Sequence, residues 1–169
     1  KTRLPIMLYS IPGRCGVEIG VETVHQLARS CRNIIGIKEA GGNPDRVSQL
    51  RAALGSKFDI LSGDDALTLP FMALGAQGVV SVASNVIPRQ VAQMVKVFAA
   101  GKARAALKLH DEFHPLFKDL FIETNPVPVN AALAMMGQIE EEYRLPLVPM
   151  TPSHRETLRD TMKRLKLVK

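Results

Sequence analysis

The sequence predicts an α/β fold built on a parallel β-sheet that is covered by helices. Four short apolar segments with the character of buried strands alternate along the chain with segments of helical character. Polar residues stand where each apolar segment ends, and in parallel α/β folds ligands bind at the carboxyl ends of the strands. After Gly101 no strand pattern recurs, which indicates an all-helical C-terminal part.

The four predicted strands are short apolar segments that end at a glycine, a proline or a polar residue. They cover residues 4–9, 34–37, 58–61 and 78–82. The first is followed by a loop rich in proline and glycine over residues 10–16, and the second continues into Lys38-Glu39-Ala40. Continuously apolar strands of this length are typical of sheets that are buried on both faces.

Helical spacing of apolar residues predicts helices between and after these strands. The predicted helices cover residues 21–30, 44–54, a segment that ends at residue 74, and residues 88–100, 102–120, 126–136 and 153–165. Asn43 is a suitable N-cap for the second helix, because Pro44 occupies its first position. Four strand–helix units fit either an open doubly wound sheet or half of an eight-unit barrel, and the pattern leaves both open.

Composition favours an ordinary globular protein over a nucleic-acid-binding or membrane protein. The net charge is +6, but the basic residues are scattered and are not interleaved with aromatic residues, so we expect a solvated surface and no nucleic-acid partner. No apolar run reaches the roughly eighteen residues of a membrane span. Cys15 and Cys31 match neither a metal-ligand spacing nor a disulfide framework, so we expect a reducing, cytoplasmic setting.

Lys38 is the candidate for covalent chemistry. Alternation along the second strand predicts that Lys38 shares one face with Ile34 and Gly36. An ammonium among apolar neighbours is disfavoured, and a neutral amine can attack a ketone carbonyl to form an imine. The local pattern also fits a lysine at a strand end that extends its ammonium group to water, and by itself does not favour catalysis.

Tyr9 and Arg14 are further candidates near the end of the first strand. Because the ends of neighbouring parallel strands are close, the Tyr9 phenol could pass protons to a substrate bound at Lys38. Arg14 lies in the following loop, where a guanidinium can bind a carboxylate with two hydrogen bonds. Taken singly, each also fits a residue without catalytic function, a tyrosine packed at the rim or a solvated loop arginine.

Two groups of possible metal ligands are better explained without a metal. Asp64 and Asp65 stand at a predicted helix start, where carboxylates cap the helix and offset its dipole. His110 and His114 have the spacing of a zinc pair, but no third ligand is evident, so we expect a solvated helix face. We therefore predict no metal site.

Several segments together resemble the dihydrodipicolinate synthase family. Residues 9–16, Tyr-Ser-Ile-Pro-Gly-Arg-Cys-Gly, resemble its Tyr-Asn-x-Pro-x-Arg-Thr-Gly motif, and residues 35–40, Ile-Gly-Ile-Lys-Glu-Ala, resemble its Schiff-base strand. Further segments resemble later parts of the family pattern, namely residues 61–65, 75–82, 125–129 and 144–147. The motifs occur in the order and at close to the spacing of the family, across essentially the whole chain.

The resemblance implies a (β/α)8 TIM barrel followed by a helical domain. Residues 1–100 would supply strands five to eight of the barrel, and residues 101–169 would form the C-terminal helical domain. Because the family's N-terminal half has no counterpart here, we expect a truncated chain that is inactive, or nearly so, by itself. It would pair with a complementary N-terminal half or form a homo-oligomer, which is a dimer of dimers in the family.

The resemblance also implies a lyase that condenses pyruvate with aspartate 4-semialdehyde to 4-hydroxy-tetrahydrodipicolinate, in lysine and diaminopimelate biosynthesis, without cofactor. By resemblance, Lys38 forms the pyruvate Schiff base, and Tyr9 belongs to a proton relay. Arg14 would receive the carboxylate of the aldehyde, while Gly63 and the backbone carbonyl of Val80 would line the pyruvate site.

Two residues in the Arg14 loop depart from the family motif, which leaves other functions open. Ser10 replaces the usual asparagine and Cys15 the usual threonine, and both bear on substrate positioning. One alternative is another pyruvate-dependent lysine aldolase, similar to N-acetylneuraminate lyase or to keto-deoxy sugar acid aldolases. Arg14 argues against the sialic acid lyases, whose loop lacks it. A second alternative is a non-catalytic half-barrel that pairs with a partner chain.

Overall fold

The computed structural model describes residues 2–169. The chain divides into two compact units, of which the first ends at Ser81 and the second runs from Val82 to Lys169. The first unit holds a parallel sheet with the strand order β1-β2-β3-β4. The strands are β1 (Ile6–Ser10), β2 (Ile34–Glu39), β3 (Asp59–Ser62) and β4 (Gly78–Val79). This sheet confirms the predicted parallel α/β fold, although β4 is three residues shorter than predicted.

Four helices of the first unit connect the strands. They are α1 (Pro12–Cys15), α2 (Val21–Ser30), α3 (Pro44–Leu54) and α4 (Thr68–Ala73). The N-cap of α3 is confirmed, because the Asn43 side chain accepts a hydrogen bond of 3.0 Å from the Asp45 backbone N–H. Helix α1 corrects the prediction of an irregular loop over residues 10–16. This single turn ends at Gly16, whose φ of 71° suits a glycine.

The core of the first unit lies between one face of the sheet and the helices. Side chains from α2, α3, α4 and the central strands form a single buried cluster, whose members include Val24, Ile37, Leu50, Ile60 and Phe71. All five are fully buried. Burying an aliphatic or aromatic side chain of this size contributes about 1.5–3 kcal/mol. The cluster therefore fixes β2 and β3 firmly beneath the helices.

The opposite face of the sheet is incompletely covered. Met7 and Tyr9 on β1 point away from the helices, and their side chains are 36% and 47% exposed. Continuously apolar strands led us to expect burial on both faces, and within this chain that expectation is wrong. On the other side of β1, Ile6 and Leu8 are half-buried and Ser10 is buried.

An irregularity near the start of β2 changes which residues share the face of Lys38. Ile6 pairs with Ile34, but Met7 pairs with Gly36, so the register shifts between them and Ile35 is the extra residue. Ile34 therefore packs against the helical core, while Ile35 is 42% exposed. The predicted grouping of Ile34 with Gly36 and Lys38 is wrong for Ile34.

The regular elements described in the second unit are all helices. It contains a short 3₁₀ turn (Ala83–Asn85) followed by α5 (Pro88–Ala99), α6 (Ala103–Asp119), α7 (Val127–Met135) and α8 (Pro152–Arg164). Helix α5 packs against α6, and α8 packs against both α6 and α7. The predicted helical C-terminal part is thus observed. No helix within residues 2–169 combines the length and apolarity that spanning a membrane requires.

Two polar clusters join the start of α8 to earlier residues of the second unit. One carboxylate oxygen of Glu123 accepts hydrogen bonds from the backbone N–H and the hydroxyl of Thr151, both at 2.9 Å, and lies 2.9 Å from the His154 ring. The Tyr143 hydroxyl donates to Glu141 at 3.0 Å, and burial together with this carboxylate raises the pKa of Tyr143 to about 12. The Arg155 guanidinium of α8 donates to the same Glu141 carboxylate oxygen at 2.5 Å, so both clusters hold the start of α8 in place.

Candidate active site

Tyr9 and Lys38 lie side by side at the carboxyl ends of adjacent strands. They are paired in the register of β1 and β2, and Lys38 pairs in turn with Leu61 on β3. The Lys38 Nζ lies 3.9 Å from the centroid of the Tyr9 ring. The predicted proximity of the two side chains is therefore confirmed, and both are on the less covered face of the sheet.

Gly63 shapes the space next to Lys38. Its backbone N–H donates a 2.7 Å hydrogen bond to the Glu39 carbonyl, which holds Gly63 against the end of β2. A Cβ atom at this position would lie 2.5 Å from the Ala40 Cβ and 3.1 Å from the Lys38 Cε. The 2.5 Å contact with Ala40 is too short to be tolerated, so a side chain at position 63 would displace the end of β2, which carries Lys38.

The immediate neighbour of the Lys38 ammonium is aromatic and not aliphatic. Ile34 faces the helical core, so the apolar surroundings predicted for Lys38 are absent on that side. A contact between an ammonium group and a tyrosine ring is worth about 0.5–1 kcal/mol at a partly exposed site. In this arrangement the Tyr9 ring also holds the lysine chain in one direction.

Arg14 belongs to the one-turn helix α1 that directly follows β1. Its side chain is exposed. The segment is anchored to β2, because the Ala40 backbone N–H donates a 2.9 Å hydrogen bond to the Ser10 carbonyl. Arg14 is therefore carried at the same end of the sheet as Lys38, where parallel α/β proteins bind ligands.

Ser10 faces away from Tyr9 and is only 1% exposed. Its hydroxyl accepts a 3.4 Å hydrogen bond from the Ile19 backbone N–H, and Ile19 lies at the far end of the same connection. Ser10 thus links the two ends of the segment that contains Arg14. Cys15, the other departure from the family motif, is an exposed free thiol.

A buried ion pair on the helical side of β2 was not found by sequence reasoning. Glu39 is fully buried and Arg46 is 4% exposed, and the Arg46 Nε lies 2.7 Å from a Glu39 carboxylate oxygen. One feature of the sequence does indicate this pair. Alternation predicts Glu39 on the buried face with Ile37, and a buried carboxylate requires a cationic partner.

The remaining predicted site residues occupy the ends of β3 and β4. The Val80 N–H donates a 2.8 Å hydrogen bond to the Ser62 carbonyl, which extends the strand pairing beyond β4. The Asp64 carboxylate accepts from the Ala66 N–H at 2.8 Å and so caps a turn. It does not cap α4, which begins only at Thr68, and the predicted helix cap is corrected accordingly.

The two histidines predicted on a solvated helix face lie on α6. Their rings are 5.3 Å apart, and burial together with the neighbouring His114 lowers the pKa of His110. His110 is thus partly buried, whereas His114 is exposed as predicted. Within residues 2–169, no three His, Cys, Asp or Glu side chains are grouped closely enough to hold a metal ion.

Comparison with known proteins identifies close relatives over nearly the whole chain. A 4-hydroxy-tetrahydrodipicolinate synthase of Aquifex aeolicus is 49% identical over 164 residues, which are 97% of this chain and 56% of that protein. The structure of the 4-hydroxy-tetrahydrodipicolinate synthase of Methylacidiphilum fumariolicum SolV matches with a TM-score of 0.96 at 58% identity, over 98% of this chain and 55% of that one.

A third relative carries a ligand. The chloride-inhibited dihydrodipicolinate synthase of Acinetobacter baumannii complexed with pyruvate matches with a TM-score of 0.94 at 38% identity, over 99% of this chain and 57% of that one. The chain thus spans little more than half the length of each of these relatives. The model of the dihydrodipicolinate synthetase family matches residues 1–165. The chain therefore belongs to the dihydrodipicolinate synthetase family.

Proposed function

We propose that this chain carries the Schiff-base lysine of a class I aldolase-type lyase, which condenses pyruvate with aspartate 4-semialdehyde to 4-hydroxy-tetrahydrodipicolinate. The observation that carries this proposal is the contact between Lys38 and Tyr9, because it joins an amine nucleophile to a phenolic proton donor at the ligand-binding edge of a parallel sheet. The names of the relatives and the pyruvate bound to one of them support it.

Each residue has a defined role in the proposed reaction. The neutral amine of Lys38 attacks the ketone carbon of pyruvate, and loss of water leaves an imine that can release a proton from the adjacent methyl group. The Tyr9 hydroxyl passes protons during these steps. Arg14 binds the carboxylate of the incoming aldehyde, and Gly63 and the Val80 carbonyl border the pyruvate. The imine serves as the electron sink, so the proposal includes neither metal nor cofactor.

We further propose that the sheet forms strands five to eight of a (β/α)8 barrel. In this proposal residues 1–100 are half of the barrel, and residues 101–169 are a C-terminal helical domain. The exposure of Met7, Tyr9 and Ile35 supports it, because these side chains would face the barrel interior. The share of the relatives' length that the chain spans supports it as well.

The proposed partner is therefore a complementary N-terminal half, and the complete protein would form homo-oligomers in the cytoplasm, where both cysteines stay reduced. Alone, the chain would leave strand edges unpaired and the proton relay incomplete. We expect it to turn over its substrates very slowly or not at all in this state.

A hybrid protein tests the proposal. In this hybrid, the segment of the Aquifex aeolicus relative that matches this chain is replaced by residues 1–169. We expect the hybrid to consume pyruvate and aspartate 4-semialdehyde together, and a hybrid with Lys38→Arg to be inactive because its guanidinium forms no imine. Turnover by the Lys38→Arg hybrid, or none by the parent hybrid when it is folded, would reject the proposal.

The same hybrid separates the competing lyase functions. N-acetylneuraminate and keto-deoxy sugar acids are tested as substrates for cleavage next to the condensation assay. We expect neither to be cleaved at a comparable rate, because Arg14 supplies a cation for a small aldehyde that bears a carboxylate. Cleavage of a sugar acid at a higher kcat/KM than the condensation would favour the alternative aldolase.

A further inference from the structure

The buried ion pair between Glu39 and Arg46 lies on the opposite face of β2 from Lys38. Glu39 is 0% exposed, and both of its carboxylate oxygens are used, one by Arg46 and the other by the Gly41 N–H at 2.7 Å. A buried ion pair contributes little net stability, because desolvation of the two charges offsets their attraction. Stability alone therefore does not explain why charges occupy this site.

Arg46 uses all three nitrogens of its guanidinium group to join three segments of the chain. Its Nε contacts Glu39 at the end of β2, and its Nη1 lies 3.0 Å from a carboxylate oxygen of Glu18. Its Nη2 donates to the carbonyl oxygen of Ile19. Glu18 and Ile19 close the connection between β1 and α2, so one side chain of α3 ties this connection to the strand that carries Lys38.

Gly41 lies beneath the same connection, and its surroundings leave no room for a side chain. A Cβ atom at Gly41 would lie 2.8 Å from the Glu39 carboxylate, 3.0 Å from the Glu18 carboxylate and 3.6 Å from the Pro12 ring. Pro12 is the first residue of α1, which contains Arg14. Both ends of the connection are thus packed around a single point at the end of β2.

We infer that Arg46 and Glu18 are positioning residues for Arg14. They fix residues 11–20 against β2, so that the guanidinium of Arg14 is held at a constant place relative to the Lys38 amine. This inference rests on the proposed function, in which Arg14 binds the carboxylate of the aldehyde. Arg46 and Glu18 act through the backbone of the connection and touch neither substrate, so their loss weakens aldehyde binding without preventing imine formation at Lys38.

Glu18→Gln is the informative variant, because it loosens the connection without removing a buried charge. The Glu18 side chain is 43% exposed, and the buried pair of Glu39 and Arg46 stays intact, so the variant is expected to fold. Glu22→Gln is the matched control, since Glu22 is 74% exposed on α2 and has its ion pair and hydrogen bond with residues of the same helix, His25 and Gln26. Arg46→Lys is the second variant, because a lysine keeps the charge but cannot reach all three partners.

Amide hydrogen exchange of this chain is the first measurement. Glu18→Gln replaces the charge-assisted hydrogen bond to Arg46 by a neutral one, and Arg46→Lys loses part of the guanidinium network, so both are expected to speed exchange in residues 11–20 by about threefold or more. The control Glu22→Gln should exchange at the unsubstituted rate in the same segment. Equal exchange in all four proteins would overturn the inference, whether or not the chain is part of a lyase.

Kinetics in the hybrid protein give the second measurement. We expect Glu18→Gln to raise the KM for aspartate 4-semialdehyde about three- to tenfold, while borohydride trapping of pyruvate at Lys38 keeps its rate. An unchanged KM, or an equal loss of trapping, would contradict a positioning role toward Arg14. Failure of the proposed function has a different signature, namely a parent hybrid without turnover while the exchange rates still differ between variants.

Discussion

The Lys38 ammonium nitrogen lies 3.9 Å from the centroid of the Tyr9 ring, and the two residues are paired in the register of β1 and β2. The ring and the hydroxyl of Tyr9 can therefore be tested separately. Replacing Tyr9 by Phe keeps the ring under the ammonium and removes only the proton donor. Replacing Tyr9 by Ala removes both.

We predict that Tyr9→Phe in the hybrid protein lowers kcat by about 100-fold or more, the range of a general acid–base catalyst, while pyruvate is still trapped at Lys38. Tyr9→Ala should also slow trapping, because the lysine chain loses its support. Steady-state kinetics and borohydride trapping measure the two effects. A Tyr9→Phe hybrid with unchanged kcat would remove Tyr9 from the proton relay.

A substitution at Gly63 should lower pyruvate trapping at Lys38 while the lysine itself is unchanged. In Gly63→Ala the new methyl group would lie 2.5 Å from the Ala40 Cβ and 3.1 Å from the Lys38 Cε, so the end of β2 must shift together with the lysine and trapping should fall. Gly20→Ala is the control, since its Cβ would meet only the Thr23 hydroxyl at an ordinary 3.6 Å. Peptide mass spectrometry measures the fraction of Lys38 that carries trapped pyruvate. Equal trapping in both variants would show that the space beside Lys38 is not restrictive.

Arg51 is predicted to support the fold and not the chemistry. Its guanidinium donates hydrogen bonds to the carbonyls of Phe58 at 2.9 Å and of Gly75 at 2.7 Å, which joins α3 to the residues that precede β3 and β4. We expect Arg51→Met to lower the free energy of unfolding by about 2–3 kcal/mol. The amount of pyruvate trapped at Lys38 per folded molecule should not change.

The exposed Arg29 on α2 provides the matched control for Arg51. Arg29→Met should change the free energy of unfolding by less than about 0.5 kcal/mol in urea denaturation. Similar values for the two variants would mean that the carbonyl contacts of Arg51 contribute no more than a surface charge.

Acid should weaken the start of α8 through Glu123. The N–H of Thr151, and to a smaller extent His154, lower the pKa of Glu123 from its ordinary value of 4.5. A carboxylate with a lowered pKa stabilises the fold above the unfolded pKa, and this contribution disappears as the pH falls through the folded pKa. The contribution should therefore be present at neutral pH and be lost below 4.5.

Thermal unfolding followed by circular dichroism tests the role of Glu123. The unsubstituted chain should lose more stability between about pH 6 and pH 3 than Glu123→Gln does, because glutamine cannot be protonated in this range. A parallel loss in both proteins would assign the acid sensitivity to other carboxylates.

Local signals explain which parts of the fold were predictable. Helices α2 and α3 begin and end at the predicted residues, since their boundaries depend on nearby residues such as Asn43 and Gly55. The proximity of Tyr9 and Lys38 was predictable too, because neighbouring parallel strands end together. In these cases the deciding interactions lie within a few residues or follow from the topology.

Other features depend on contacts that a linear pattern does not contain. Ile34 and Ile35 lie on the opposite faces of the sheet from those predicted. The cause is the register shift between β1 and β2, which strict alternation of side chains cannot anticipate. The partner of Glu39 was not identified, because Arg46 reaches it from a helix seven residues further on. Helix α1 is one turn long and too short for a periodic pattern.

Trapping of pyruvate tests the central claim most directly. The chain and the hybrid are incubated with pyruvate and borohydride, and the modified residue is located by peptide mass spectrometry, since reduction fixes an imine irreversibly. We predict modification of the hybrid at Lys38, weaker modification of the chain alone at the same residue, and none in Lys38→Arg. Modification at a different lysine, or none in a folded hybrid, would contradict the assignment of Lys38 as the Schiff-base residue.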